Sequence, residues 1–161
     1  MSFNNLQKKD LVFGKKAEKD LLPLFRDNFD KNLKQTSWSY NSIDFESENT
    51  VVELKSRKCY YGDYKDMMIG ANKVKRVSDE FAKNKRQGYL VFNCIDGIYY
   101  WKFDVEESKN AVSYRMGGRE DRGKDEKELT AYINKDYLKC LLLREVPKKE
   151  PYLKGVCLIK L

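Results

Sequence analysis

Asp44, Glu53 and Lys55 lie on two short apolar segments, "SIDFE" and "VVELKSR", where opposite charges need a reason. Burying Glu53 and Lys55 together costs several kcal/mol unless they are paired or liganded. Two carboxylates and a lysine at a strand end suit metal-assisted hydrolysis of a phosphodiester. Hard Mg²⁺ takes oxygen ligands, which Asp44 and Glu53 supply together with water and phosphate, and the Leu54 carbonyl offers one more. Residues 53 and 55 stand about 6.6 Å apart along a strand, room enough for a metal and an attacking water between their tips. Protonated Lys55 does not ligate a metal; its task there is to orient the water and offset charge on the pentavalent phosphate. The alternative is a solvated strand edge with an aspartate in a neighbouring turn, since Glu-x-Lys arises by chance in a chain that is 35% charged.

Several elements must bring these residues together. "KKAEKDLLPLFRDNF" places Ala17, Leu21, Leu24 or Phe25, and Phe29 at helical spacing, with Glu18 one position round from the Ala17–Leu21 stripe. Pro23 predicts a kink or a division of that helix. Residues 36–57 read as strands: "TSWSYN" alternates Trp38 and Tyr40, and "SENT" signals a turn. In "VVELKSR", Val51, Glu53, Lys55 and Arg57 share one face while Val52, Leu54 and Ser56 share the other. A helix is expected over about 64–86, capped by Asp63, with Met67, Ala71, Val74, Ser78 and Phe81 inward and Gln87-Gly88 as its stop.

"YLVFNCIDGIYYWKFD" predicts a hairpin turning at Asp96-Gly97. Residues 106–128 read as an exposed loop, with Val112, Tyr114 and Met116 able to form a short strand before it. A strand over 129–133, a helix over 135–142, an irregular stretch around Pro147 and Pro151, and a terminal strand "GVCLIKL" complete the expectation. Together these predict one α/β domain, residues 1–161, with a mixed central sheet.

The balance of 32 Lys plus Arg against 25 Asp plus Glu leaves a net charge of +7, which favours a polyanionic partner. The chain has no histidine, so His-dependent triads, HNH-like chemistry and His-based phosphotransfer are excluded within it. Cys59, Cys94, Cys140 and Cys157 form no CxxC pair and read as free thiols rather than a zinc site. No run approaches 18 apolar residues and no hydrophobic targeting core is evident, so a soluble intracellular protein without a membrane partner is expected.

Asp44-x8-Glu53-Leu54-Lys55, preceded by Gly14-Lys-Lys-Ala-Glu18, resembles the PD-(D/E)XK nuclease superfamily, in particular its Holliday-junction-resolvase-like and restriction-endonuclease-like members. The resemblance spans the element order from about 13 to 104. Ile43 stands where the family commonly has proline. The resemblance implies a restriction-endonuclease-like αβββαβ core, with Glu18 as a supporting ligand or a partner of Lys55. It also implies that Lys73 and Arg76, on the long helix, approach phosphate. As plain residues, Glu18 reads equally as an exposed helix acid, and Lys73 and Arg76 as solvated charges.

Lys15, Lys16, Arg57 and Lys58 would gather near the centre and hold a phosphate backbone without reading sequence. Tyr60, Tyr61 and Tyr64 are candidates for stacking on a base or for packing, and the loop over 115–122 for closing on nucleic acid. The resulting expectation is a Mg²⁺-dependent nuclease, with Mn²⁺ able to substitute, cutting DNA endonucleolytically, branched DNA among its substrates; that it forms a homodimer is implied by the resemblance alone. An RNA endonuclease, a non-catalytic nucleic-acid-binding module and a basic structural protein are the alternatives.

Overall fold

Strict alternation builds the centre of the molecule. The computed structural model describes residues 5–36, 43–117 and 128–145. Helix α1 (Asn5–Asn28) precedes two-residue strands β1 (Lys34–Gln35) and β2 (Phe45–Glu46), then β3 (Thr50–Ser56). Strand β4 (Asp66–Gly70) runs directly into helix α2 (Ala71–Asn84), and the hairpin β5 (Gln87–Cys94)–β6 (Gly97–Lys102) follows. Helix α3 (Val105–Ala111), β7 (Val112–Gly117), β8 (Glu128–Asn134) and β9 (Lys139–Leu143) complete the described elements.

The main sheet has the order β1-β2-β3-β5-β6-β9, with β3 and β5 parallel and every other pair antiparallel. Strands β4, β8 and β7 form a second, antiparallel sheet. The result is an α/β architecture with a mixed sheet flanked by helices, in the restriction-endonuclease-like order α1-β1-β2-β3-α2-β5 with β4 inserted before α2. Parallel β3 and β5 require a crossover, which β4 and α2 supply.

Period-two alternation splits the apolar residues between two faces. Val52 and Leu54 of β3, Val91 of β5 and Ile98 of β6 pack with Leu21 and Phe25 of α1. Val51, Leu90, Phe92 and Trp101 point the other way, into a core shared with Val74 and Val77 of α2 and with Met67, Ile69, Ala131 and Ile133 of the small sheet. Gly88 permits the close approach of α2 to β5, since a Cβ there would stand 2.0 Å from a Val77 methyl. Glu53 and Lys55 therefore project from the face that α2 covers.

The "VVELKSR" strand and the 89–103 hairpin appear as expected, but other elements differ. The helix over 64–86 begins only at Ala71, and Gly70 rather than Asp63 is its N-cap. Met67 and Ile69 instead alternate inward on β4, paired with Ile133 and Ala131, so the Met67–Ala71 spacing was shared by two periodicities and tertiary pairing selected the shorter. Phe81 is exposed and stays outside the core cluster. The helix stops at Asn84, where Lys85 takes a left-handed conformation (φ 57°), not at Gln87-Gly88.

Pro23 does not divide α1. Both it and Lys19, whose carbonyl loses an amide partner, are exposed, so that acceptor is not left in an apolar interior. The hairpin turns at Ile95-Asp96, with Cys94 paired to Gly97 and no positive φ at either turn residue. Gly97 is needed for a different reason: a Cβ there would lie 2.6 Å from the Leu142 carbonyl oxygen of β9.

The expected loop after 106 begins as α3, which Asp104 caps by accepting from the Glu107 N–H at 2.8 Å. The expected helix over 135–142 is a short 3-10 turn followed by β9, drawn out by pairing with β6. The strand expected around Trp38 and Tyr40, the stretch of Pro147 and Pro151, the terminal "GVCLIKL" and most of the 115–122 loop lie outside the described residues. No helix among the described residues is long and apolar enough to cross a membrane.

Candidate active site

Asp44 is held at the end of β2 by backbone bonds that leave one carboxylate oxygen facing β3. Its N–H donates to the Val52 carbonyl at 3.1 Å, and its carbonyl accepts from the Thr36 N–H at 2.9 Å. The Thr36 hydroxyl donates to the Ile43 carbonyl at 2.6 Å, fixing the preceding peptide. The Leu54 N–H then donates to Asp44 Oδ2 at 2.8 Å. In a β-strand the N–H and C=O of one residue point to the same edge, so the Leu54 carbonyl faces Asp44 beyond the last β2 bridge.

Glu53 lies opposite this edge and is 4% exposed. Its Oε1 receives the Lys73 ammonium of α2 at 2.8 Å, while its buried Oε2 has no hydrogen-bond partner. Burial, and then the charge of Asp44, push the Glu53 carboxyl up to about 8 against the pull of Lys73.

Glu18, half-buried on α1, takes a hydrogen bond from the Gln35 amide of β1 at 2.9 Å. Its carboxyl too is raised, by burial first and by Asp44 second, with Gln35 and Lys15 opposing. Asp44 is thus the common neighbour of two acids, one on α1 and one on the face covered by α2. Lys55 is half-buried and shares the β3 face of Glu53.

The basic residues divide. Lys15 acts on Glu18 and Lys16 is exposed. Lys58 sits over the Phe13 ring at 5.1 Å and pairs loosely with Asp10 at 3.7 Å, tying the end of β3 to α1. Arg57 donates to the Met68 carbonyl, stapling β3 to β4. Lys73 faces Glu53 rather than open solvent, and Arg76 pairs with Glu80 at 2.9 Å on the same helix. These two are therefore engaged within the protein, which their spacing alone did not reveal. Tyr61 stacks on Tyr99 at 3.6 Å between ring centroids, as part of the core edge, whereas Tyr64 is exposed. Arg115, at the start of the expected 115–122 loop, lies on β7, the short strand expected from Val112, Tyr114 and Met116, over the Tyr132 ring at 3.7 Å.

Gln35, which orients Glu18, and Thr36, which anchors the Asp44 segment, are functional neighbours that the sequence pattern does not single out. Their signal was weak, because a polar pair after a helix reads as an ordinary connection. Two acids pressed together with one buried oxygen lacking a donor form a position complementary to a cation. Asp44, Glu53 and the Leu54 carbonyl are oxygen donors of the kind hard divalent ions take. Even so, among the described residues no group of three or more His, Cys, Asp or Glu side chains is arranged to hold a metal ion.

Residues 10–138 match a protein family described as "Phage putative PDDEXK endonuclease". The matched span contains Glu18, Asp44, Glu53 and Lys55. No curated protein matches the chain. Among solved structures it is similar to Hjc of Archaeoglobus fulgidus, a Holliday junction resolvase from an archaeal hyperthermophile. That similarity has 16% identity and a TM-score of 0.43, over 77% of this chain and 90% of that one.

Proposed function

We propose that this chain, which belongs to the phage PDDEXK endonuclease family, hydrolyses phosphodiester bonds of DNA with Mg²⁺, for which Mn²⁺ substitutes. One observation carries the reading: the buried Glu53 oxygen with no donor, beside a second carboxylate whose charge it would not otherwise tolerate. Asp44, Glu53 and the Leu54 carbonyl are the residues that would hold the ion. Once bound, the ion supplies Lewis-acid polarisation of the phosphate and charge for the leaving oxygen.

The protein's own groups do the rest. The Leu54 N–H keeps Asp44 turned toward β3. Lys55, on the same face as Glu53, holds the attacking water by its ammonium and offsets charge accumulating on the phosphate. Glu18, steadied by Gln35, supports Asp44 from the α1 side. Lys15, Lys16 and Lys58 give backbone contacts that add affinity and salt dependence. Cutting both strands of a duplex calls for two such centres, and a homodimer would provide them.

The test is cleavage of duplex, single-stranded and branched DNA and of matched RNA, in Mg²⁺, Mn²⁺ or EDTA. Metal-dependent cutting lost in Asp44→Ala and Glu53→Ala is expected. An intact protein that cuts none of these substrates overturns the reading. Preference for RNA redirects it to an RNA endonuclease. One observation favours a non-catalytic nucleic-acid-binding module: Glu53 is closed by Lys73. That reading predicts salt-sensitive binding that survives both substitutions, with no cleavage to lose.

A further inference from the structure

Lys73 stands in the first turn of α2, next to the Gly70 N-cap, in a turn that contains no acidic residue. The positive end of a helix disfavours a cation there and favours Asp or Glu. Its ammonium nevertheless reaches across to Glu53 Oε1 at 2.8 Å. The partner is almost wholly buried, whereas the Lys73 side chain remains 26% exposed, with a route to solvent. The pair is also incomplete: Glu53 Oε2 is left without a donor, and Asp44 adds a second negative charge beside it. The Lys73 ammonium thus meets one oxygen of a pocket in which two carboxylates lie side by side. The helix exerts no dipole attraction to hold Lys73 in place.

We infer that Lys73 is a resident counter-cation, closing Glu53 in the metal-free protein and exchanging that carboxylate for a substrate phosphate when Glu53 takes a divalent ion. The inference rests on the metal-site reading above and adds a positioning role to it. In that role, Lys73 competes with the ion for Glu53, and ion binding and phosphate binding become coupled through one side chain. Glu53 is never left as an uncompensated buried charge, which by itself would be strongly destabilising.

The experiment is calorimetric titration of the full chain with Mg²⁺ alone, without nucleic acid. Removing a competitor that forms a charge-assisted hydrogen bond should tighten Mg²⁺ binding by about tenfold in Lys73→Met. Lys73→Arg keeps the charge and should bind like the wild type. Should Lys73→Met fail to fold, Lys73→Gln, which retains a donor without the charge, reads the same quantity. A second readout is affinity for a short DNA duplex, where Lys73→Met should lose more in Ca²⁺, which takes the same oxygen ligands, than in EDTA. Wild-type Mg²⁺ binding with equal or weaker binding in the uncharged variants overturns the role of Lys73 and leaves the metal site standing. An equal loss of DNA affinity in Ca²⁺ and EDTA overturns the handover to phosphate. If neither wild type nor variants bind Mg²⁺, the metal-site reading itself fails.

Discussion

Glu53 and Glu80 are each 4% exposed, Glu53 in the deep interior and Glu80 just beneath the surface, and they are treated in opposite ways. Glu80 receives Arg86 Nε at 2.8 Å and the Asn84 amide at 2.9 Å on one oxygen, and Arg76 at 2.9 Å on the other. Burial pulls its carboxyl upward, but the bonds from Arg86 and Asn84 and the charges of Arg86 and Arg76 outweigh that and leave it below its ordinary value. Arg86 continues to Glu46 at 3.2 Å and to the Ser47 carbonyl at 3.1 Å, locking the end of α2 to the β2–β3 turn. Glu53 takes Lys73 on one oxygen, has no donor on the other and faces a rival carboxylate, and it is pushed up to about 8. A carboxylate that serves structure is fully partnered within the chain. One left short of positive charge in the same protein is the kind of group that functional sites hold, and the proposed metal site is built on it.

The largest effect that would test this contrast is on cleavage. Asp44→Ala or Glu53→Ala should lower the rate by about 10³-fold or more, as loss of a central electrostatic contact does, whereas Glu80→Gln should leave the rate of the folded protein close to wild type. A gel-based cleavage time course measures both, and a comparable loss of activity in folded Glu80→Gln would erase the distinction.

Stability should rank the two acids the other way. Glu80→Ala strands Arg86 and Arg76 without their shared partner and should cost about 3 kcal/mol, as breaking a buried ion pair does. Urea unfolding of the metal-free protein reads this, and a midpoint unchanged from wild type would mean the network contributes nothing.

A smaller effect, with opposite signs at the two sites, lies in pH. A carboxyl raised on folding costs stability that is absent below its unfolded value of 4.5, grows as pH rises, and levels off above about 8. The metal-free wild type should therefore lose stability across that window. Glu53→Gln should remove that slope and be the more stable protein at pH 8 by on the order of 1 kcal/mol, the usual sign of a strained functional group. Glu80, lowered on folding, contributes stability that is present above 4.5 and lost as pH falls below it. Its replacement by Gln should flatten only the acid limb. Thermal melts of both variants between pH 3 and 9 (a range spanning both windows) separate the two, and identical profiles would contradict the assignment.

The smallest expected effect belongs to the loose Lys58–Asp10 pair at 3.7 Å, in which the lysine is exposed. Asp10→Asn should leave the melting temperature within about a degree, because solvent screens such pairs. A shift as large as that of Glu80→Ala would show that depth is not what separates these sites.

Much of the arrangement was legible because it is repeated locally. Val51, Val52 and Leu54 alternating around Glu53 and Lys55 define β3 and its two faces without reference to any partner. The two strand-forming runs around Asp96-Gly97 define the hairpin. Even α3, unexpected in the charged stretch, had a signal in Asp104 and Glu107 at capping-box spacing. Other segments were ambiguous because one run of residues satisfied two periods. Met67 and Ala71, four residues apart, fit one face of a helix or of a strand, and β8 resolved the matter by pairing with β4. Lys139–Leu143 was likewise helical in propensity and became a strand on the free edge of β6.

By itself the sequence determined which residues can do chemistry: acids at 44 and 53, a lysine at 55, an acid at 18, and no histidine to offer an alternative. Only the tertiary structure decided that Asp44 neighbours both other acids, that Lys73 closes Glu53 and that Arg76 belongs to Glu80. The reason is physical. Residue type and strand period are local properties, whereas a burial cost, a repelling charge or a missing donor depends on which elements fold against one another.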